Sequence, residues 1–397
     1  MTAPAIVPAA FFGLPPDVEE LRREARAFAL EHLRPRAAEL EWRPDAGERV
    51  AWDLLEDCSR RGWRTFGLEE GTSVLALCVL IEELAFGDMG FAVLMDQTLK
   101  VQRILARLAD RPEPFLSRLR EDPRMVLAIC FTEPETGSNY IMGTTDFCFS
   151  TRAERRDDGC WVLNGEKRYI SNGADAGMYL VFACTDDSVP ASRGTGAFLV
   201  DRGTPGHEVV EVHEKISQRT INNGRMRFDD VVLEPERLIG DPATGFAGAR
   251  EILKESAIEA GATTLGTARA AYEEAVAHAR TRVQGGMPLI EHANVANRIA
   301  QMYCELEAAR SLIWRAAWAV EHDPGYDHSL GTAAKVVAAD TAMQVCLSAA
   351  EILGGRAIMI EESQMSKFLR DCLSFLHSDG AQDSMRLRIA DTIKRRG

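Results

Sequence analysis

Apolar and polar positions change rhythm twice along the chain. From Pro16 to about Asp122 apolar residues recur at helical spacing. Leu21, Ala25, Phe28 and Ala29 mark one helix, Leu75, Val79, Leu80 and Leu84 a second, and Val101, Ile104, Leu105 and Leu108 a third. Asp17 reads as the N-cap of the first, with acidic residues in the opening turn. From Met125 to roughly Gly240 the runs become short and strand-like. Val126 to Phe131, Trp161 to Leu163, Tyr179 to Ala183, Ala197 to Val200 and Arg225 to Phe228 are bounded by Gly, Asp and Asn turns. After Gly240 the helical period returns, with Val295, Ile299, Met302, Leu306, Ala309 and Ile313 on one stripe. Long helices are expected at about 246–283, 291–321, 328–354 and 362–397.

This order predicts an α+β multi-domain protein. Residues 1–15 form a flexible arm, 16–124 an N-terminal helical domain, 125–240 a middle antiparallel β domain, and 241–397 a C-terminal four-helix bundle. A chain of 397 residues has room for two or three such units.

Composition narrows the function. Hydrophobic residues make up 46% and charged residues 27%, as in an ordinary globular protein. The longest apolar runs fall far short of the roughly 20 residues that cross a bilayer, so no membrane span is expected. The N-terminus lacks the basic start of a signal peptide. A net charge of −14 disfavours nucleic-acid binding, which needs a cationic footprint. The basic tail Lys394, Arg395, Arg396 reads as a solvated helix end. Nine cysteines without a CxxC motif point to buried reduced thiols in the cytoplasm rather than disulfides or zinc.

Five segments carry a family resemblance. Cys130 to Asn139 (CFTEPETGSN) is similar to the Thr-Glu-Pro-x-x-Gly-Ser-Asp signature of the acyl-CoA dehydrogenases. Leu163 to Asn172 (LNGEKRYISN), Phe228 to Gly240 (FDDVVLEPERLIG), Arg282 to Pro288 (RVQGGMP) and Glu351 to Gly355 (EILGG) resemble later motifs of that family, in the family's order. The resemblance implies the family's three-domain fold and FAD. Phe131 and Thr132 would line the flavin ring, while Gly137 and Ser138 would approach the pyrophosphate. Tyr169 and Ser171 would stand where the family has Trp and Thr beside the isoalloxazine. The small and hydroxyl side chains there suit a close backbone approach to phosphate. Arg282, Gln284, Glu351, Gly354 and Gly355 would reach a neighbouring subunit's FAD, which implies a homodimer or homotetramer.

In that family a carboxylate removes the α-proton of an acyl thioester while the β-hydride leaves to flavin N5. Alignment from Arg370-Asp371 places Asp379 at the base position, one methylene shorter than the usual Glu, a loss of roughly 1.5 Å of reach. Glu255 and Glu259, one turn apart, are the backup candidates. The family's alternative base and its Arg are absent, since Ser256 and Ala257 occupy those places. Gly285, Ala381 and Asp383 also replace residues that hold FAD in relatives. Tyr140 to Ser150 is longer than the family's usual link, and the loop at Phe66 to Thr72 is shorter; both flank the expected substrate entrance.

The expected function is therefore FAD-dependent dehydrogenation of an acyl thioester, on coenzyme A or a carrier protein. Electrons would pass to an electron-transfer flavoprotein or to oxygen. The alternatives are a flavin monooxygenase or N-oxidase on the same fold, and a flavin-binding subunit with little catalysis.

Overall fold

The computed structural model describes residues 13–68, 72–138 and 147–395. Residues 1–12 of the expected N-terminal arm, residues 69–71 of the Phe66–Thr72 loop and most of the Tyr140–Ser150 insertion lie outside the described residues. The N-terminal part holds α1 (Pro16–Phe28), α2 (Arg34–Leu40), α3 (Trp52–Arg60), α4 (Val74–Gly87), α5 (Met89–Leu108) and α6 (Glu113–Glu121). Pro15 occupies the cap of α1, and Asp17 lies inside the first turn, where its charge still faces the positive end of the helix. Ser73 and Asp88 cap α4 and α5 by accepting from Ala76 N and Phe91 N at 3.0 and 2.8 Å. Both helices are buried almost all round, so they form the central layer of the molecule.

The middle part is a seven-stranded sheet in the order β1-β4-β2-β3-β7-β6, with β5 also on β4. The strands are β1 (Leu127–Cys130), β2 (Arg152–Arg155), β3 (Trp161–Ser171), β4 (Met178–Cys184), β5 (Thr195–Asp201), β6 (His207–Val212) and β7 (Asn223–Leu233). The sheet is not purely antiparallel, as the sequence pattern suggested. Leu127 pairs with Met178 in a parallel ladder, and β2 meets β4 in parallel at Arg152 and Cys184. Central β4 is buried on both faces, so its residues read as one apolar run rather than an alternation. Met178, Leu180 and Phe182 pack toward the helices, and Tyr179, Val181 and Ala183 toward the opposite sheet face. The expectation of reduced thiols fails at one place. Cys148 and Cys184 form a disulfide, because the chain entering β2 runs back beside the end of β4. The other seven cysteines are free.

The C-terminal part comprises α7 (Gly245–Ile252), α8 (Ser256–Thr281), a hairpin of β8 (Val283–Gln284) and β9 (Met287–Pro288), α9 (Ala293–His322), α10 (His328–Leu353), α11 (Met365–Ser374) and α12 (Gln382–Arg395). Two of the four long helices expected from periodicity are each two helices. The first breaks between α7 and α8, and the last breaks at 375–381, where Asp379 and Gly380 both take positive φ. That second break matters most for function. Gly266 lets α8 lie against α4, since a Cβ there would strike the Glu82 carbonyl oxygen. The segment His328–Ile358 is long and apolar enough to cross a membrane. It packs instead against α8, α9, α11 and α12 as a core helix of the bundle.

Candidate active site

Two cavities meet in the space between sheet and bundle. The larger, of about 370 Å³, is lined on one side by Phe131, Thr132, Gly137, Ser138, Tyr169 and Ser171, all expected from sequence. Gln218, Asn223, Phe375 and the segment His377 to Gly380 close the other side. The smaller, of about 130 Å³, lies beside it between α5, α7, α8, α10 and α12. Gln97, Ile129, Phe131 and Asp379 line both. Among the described residues, no other Asp or Glu lines either cavity.

The wall of the larger cavity is held from behind. The Phe131 ring stacks on Phe182 with centroids 4.4 Å apart and planes 2° from parallel. Buried Lys167 donates to the Phe131 carbonyl at 3.1 Å and to Glu133 at 2.8 Å. Glu133 also accepts from Ser150 N and Thr151 N. Burial pushes the Glu133 carboxyl up, but Lys167 and these donors outweigh it and hold the group below its usual range. Tyr169 sits at φ 59°, inside a β-bulge between Lys167 and Ile170. The bulge turns its ring out of the strand, half exposed, toward the cavity. Asn223 secures that bend by donating to the Tyr169 carbonyl at 2.8 Å.

Asp379 lies on the loop that interrupts α11 and α12. Lys335 on α10 pins this loop with three hydrogen bonds, to Phe375 O (2.8 Å), Gly380 O (2.7 Å) and Gln382 Oε1 (2.9 Å). From the sheet side, Ser138 Oγ accepts from Ala381 N at 3.2 Å. The carboxylate is thus placed by a bundle lysine and a sheet serine together. Its side chain is 27% exposed and stands 3.7 Å from Lys100 Nζ.

Glu255 and Glu259, the backup candidates, are not on a solvated face. Both are buried and ion-paired with Arg103, at 2.8 and 2.7 Å. Neither opens on a cavity, so the structure separates them from Asp379 in role. Arg282, Gln284, Glu351, Gly354 and Gly355 are exposed on the far part of the bundle, and none lines either cavity of this chain. Glu351 is paired with Arg298 instead. Sequence reasoning missed Gln97, Lys100, Gln218, Asn223 and Lys335. The polar residues of α5 were visible as charges in an apolar helix, whereas Gln218 and Asn223 carried no pattern.

The larger cavity fits the ring end of a flavin. It has an aromatic wall (Phe131, Phe375) and a rim of hydroxyls and amides that can bond a heterocycle's edge. Its volume lies at the low end of the ~300–1,000 Å³ of ligand pockets, enough for a ring system and not for a whole dinucleotide.

Comparison with known proteins agrees with this geometry. The chain matches family models for the acyl-CoA dehydrogenase N-terminal domain over residues 15–109, the middle domain over 128–231 and the C-terminal domain over 243–394. It is 33% identical to the short-chain-specific acyl-CoA dehydrogenase of Megasphaera elsdenii, over 76% of this chain and 77% of that one. It is 32% identical to the cyclohex-1-ene-1-carbonyl-CoA dehydrogenase of Geobacter metallireducens, over 77% and 78%. The solved butyryl-CoA dehydrogenase of Megasphaera elsdenii superposes with a TM-score of 0.88 at 28% identity, covering 97% of this chain and 100% of that one. With its three matched domains and a ring-sized slot walled by the motif residues, the chain belongs to the acyl-CoA dehydrogenases, FAD-dependent oxidoreductases that act on CH–CH bonds.

Proposed function

We propose that this chain α,β-dehydrogenates a coenzyme A thioester, with Asp379 as the base. The observation that carries the reading is that Asp379 is, among the described residues, the one carboxylate facing both cavities. The flavin would occupy the larger and the thioester's acyl part the smaller. Asp379 takes the α-proton, and a carbon–carbon double bond forms as the β-hydrogen leaves with its electron pair. FAD, when bound, accepts that hydride. Gln97, which lines both cavities, is placed to hold the reacting carbons against Asp379.

The mouth of the smaller cavity supports the coenzyme. Arg250, Lys254, His328 and Arg388 line it, against a global charge of −14. Burial lowers the pKa of Arg388, and neighbouring Arg250 lowers it further, so the mouth concentrates positive charge. His328 is pushed down by burial and then by Arg388, a further sign of the positive charge gathered there. Such a mouth suits the phosphates of coenzyme A. The relatives' names, butyryl-CoA and cyclohexenecarbonyl-CoA dehydrogenase, favour the same ligand. Exposed Arg282, Gln284 and Glu351 fit a second subunit's FAD, and an electron-transfer flavoprotein is the acceptor we expect.

Anaerobic mixing of the FAD-loaded protein with a panel of acyl-CoA thioesters tests the reading. Bleaching of the flavin without oxygen is the expected result. Asp379→Asn should keep the yellow colour and bleach about 10²–10⁴-fold more slowly. Activity that demands oxygen and an external flavin reductase would sink the proposal in favour of a monooxygenase.

A further inference from the structure

The wall of the smaller cavity is only partly hydrocarbon, since Ile129, Phe131, Leu253 and Met385 share it with charged groups. Lys100, on α5, lines it with a side chain only 2% exposed. Its ammonium nitrogen stands 2.6 Å from Asp96, 3.7 Å from Asp379 and 3.9 Å from Glu259. The last two separations exceed a hydrogen bond, so this buried cation keeps donors unspent on the cavity side. Behind it runs a seam of charge. Arg103, one turn further on α5, is ion-paired with Glu255 at the cap of α8 and with Glu259 in its first turn. Six ionisable groups therefore share one buried site, four carboxylates (Asp96, Glu255, Glu259, Asp379) and two cations (Lys100, Arg103).

Three consequences follow for whatever acyl group lies against Asp379. A long saturated chain would have to press methylenes on a buried ammonium and its carboxylates, and desolvating such groups without replacement partners is costly. A carboxylate at the chain end would add a fifth acid to a cluster already rich in acid. Burial, with Glu259 and Asp379 adding to it, already raises the Asp96 pKa to about 7 despite Lys100. A neutral oxygen meets neither objection and accepts the free donor. Its position is also set. An oxygen on the α or β carbon would end on the new double bond and make the product an enol, so the acceptor is placed at the γ carbon or beyond. The α carbon and an oxygen on the γ carbon lie roughly 3–3.8 Å apart, comparable to the 3.7 Å between Asp379 and Lys100.

We propose that Lys100 is the specificity-determining residue of the acyl site, and that the substrate is a short acyl thioester bearing a neutral oxygen acceptor at or just beyond the γ carbon. This rests on the thioester reading above. A site built to bond a substrate oxygen rejects the analogue that lacks it far more strongly than an apolar site tells one alkyl chain from another.

The test compares 4-hydroxybutyryl-CoA with pentanoyl-CoA, which differ by a hydroxyl against a methyl, and adds octanoyl-CoA. The wild-type holoenzyme should favour the hydroxy substrate at least about 10-fold in kcat/KM and turn over octanoyl-CoA poorly. Lys100→Met should abolish or invert that preference while the protein keeps its FAD. If the single variant does not fold, the pair Asp96→Asn/Lys100→Met removes the ion pair as a unit and makes the same comparison. Equal or better use of pentanoyl-CoA by the wild type overturns the proposal, as does an equal loss on both substrates in the variant. Alkyl thioesters that bleach the flavin without any hydroxyl preference would defeat this inference and leave the dehydrogenase reading intact. A flavin that no thioester bleaches would defeat both.

Discussion

Two buried lysines flank the site and do opposite things. Lys167, behind the flavin wall, is fully spent. It has one carboxylate partner in Glu133, one carbonyl in Phe131, and the Phe149 ring 4.3 Å beneath it. Charges balance one to one, and the remaining Glu133 lone pairs take backbone N–H groups. Lys100, facing the acyl cavity, sits in a cluster with twice as many acids as bases and keeps donors free. The first arrangement fixes a loop in place. The second holds capacity in reserve for a ligand, and buried unspent polar groups are where a protein gives up stability for function.

Breaking the balanced pair should give the largest change in stability. Lys167→Met leaves Glu133 buried and unpaired, and denaturant unfolding should show a loss of about 3–5 kcal/mol. Replacing both partners, as Glu133→Leu/Lys167→Met, should recover much of that loss, because the orphaned charge is gone. No recovery would mean that Glu133 matters chiefly through Ser150 and Thr151.

A third lysine sharpens the comparison, because Lys335 bonds only neutral oxygens. Lys335→Met should loosen the Asp379 loop and slow anaerobic flavin reduction roughly 10- to 100-fold, the upper figure being what a 1 Å displacement of a reacting group can cost. Burial lowers the Lys335 pKa to about 8, although Asp379 and Asp340 pull it back up. As pH rises through 8 the amine is left with two N–H groups for three oxygens, so the rate should fall there and the variant should lack that limb. Stability moves the other way. The folded pKa is depressed below 10.5, so the unfolded chain binds more protons between about pH 8 and 10.5, and this group's contribution grows with pH.

A further effect on stability concerns Asp96. Its folded pKa of about 7 lies above the ordinary 3.8. The stability it lends is complete below about pH 4 and is lost as pH rises through 7. The stability difference between wild type and Asp96→Asn should therefore slope by up to a few kcal/mol across that window. A flat difference in paired melts would place the shared proton elsewhere in the seam.

The sheet side of the site was legible in the chain because its chemistry is local. Phe131, Thr132, Gly137 and Ser138 come from one turn, and Tyr169 and Ser171 from one strand, so short motifs kept them together. The seam was not legible for the opposite reason. Asp96, Lys100 and Arg103 share one face of α5, but their partners Glu255 and Glu259 are more than 150 residues away on α8. A charged face on a helix reads as solvated until the facing helix is known. Periodicity also ran straight through residues 375–381, since Phe375 and Leu376 keep the apolar rhythm where the backbone breaks it. The Cys148–Cys184 pairing depends on a parallel strand contact that no spacing of cysteines reveals.

The loop that carries Asp379 is fastened at one end to α10 by Lys335 and at the other to the sheet by Ser138. The first is made within the bundle, but the second does not exist until the bundle and the sheet have come together. A half-assembled molecule can therefore be folded in each part and still hold Asp379 by one fastening only. In a refolding experiment, recovery of flavin bleaching should trail the return of helical signal and coincide with the docking of sheet on bundle. The proton-abstracting group is then the last component to be fully fastened, which keeps partly assembled intermediates chemically silent.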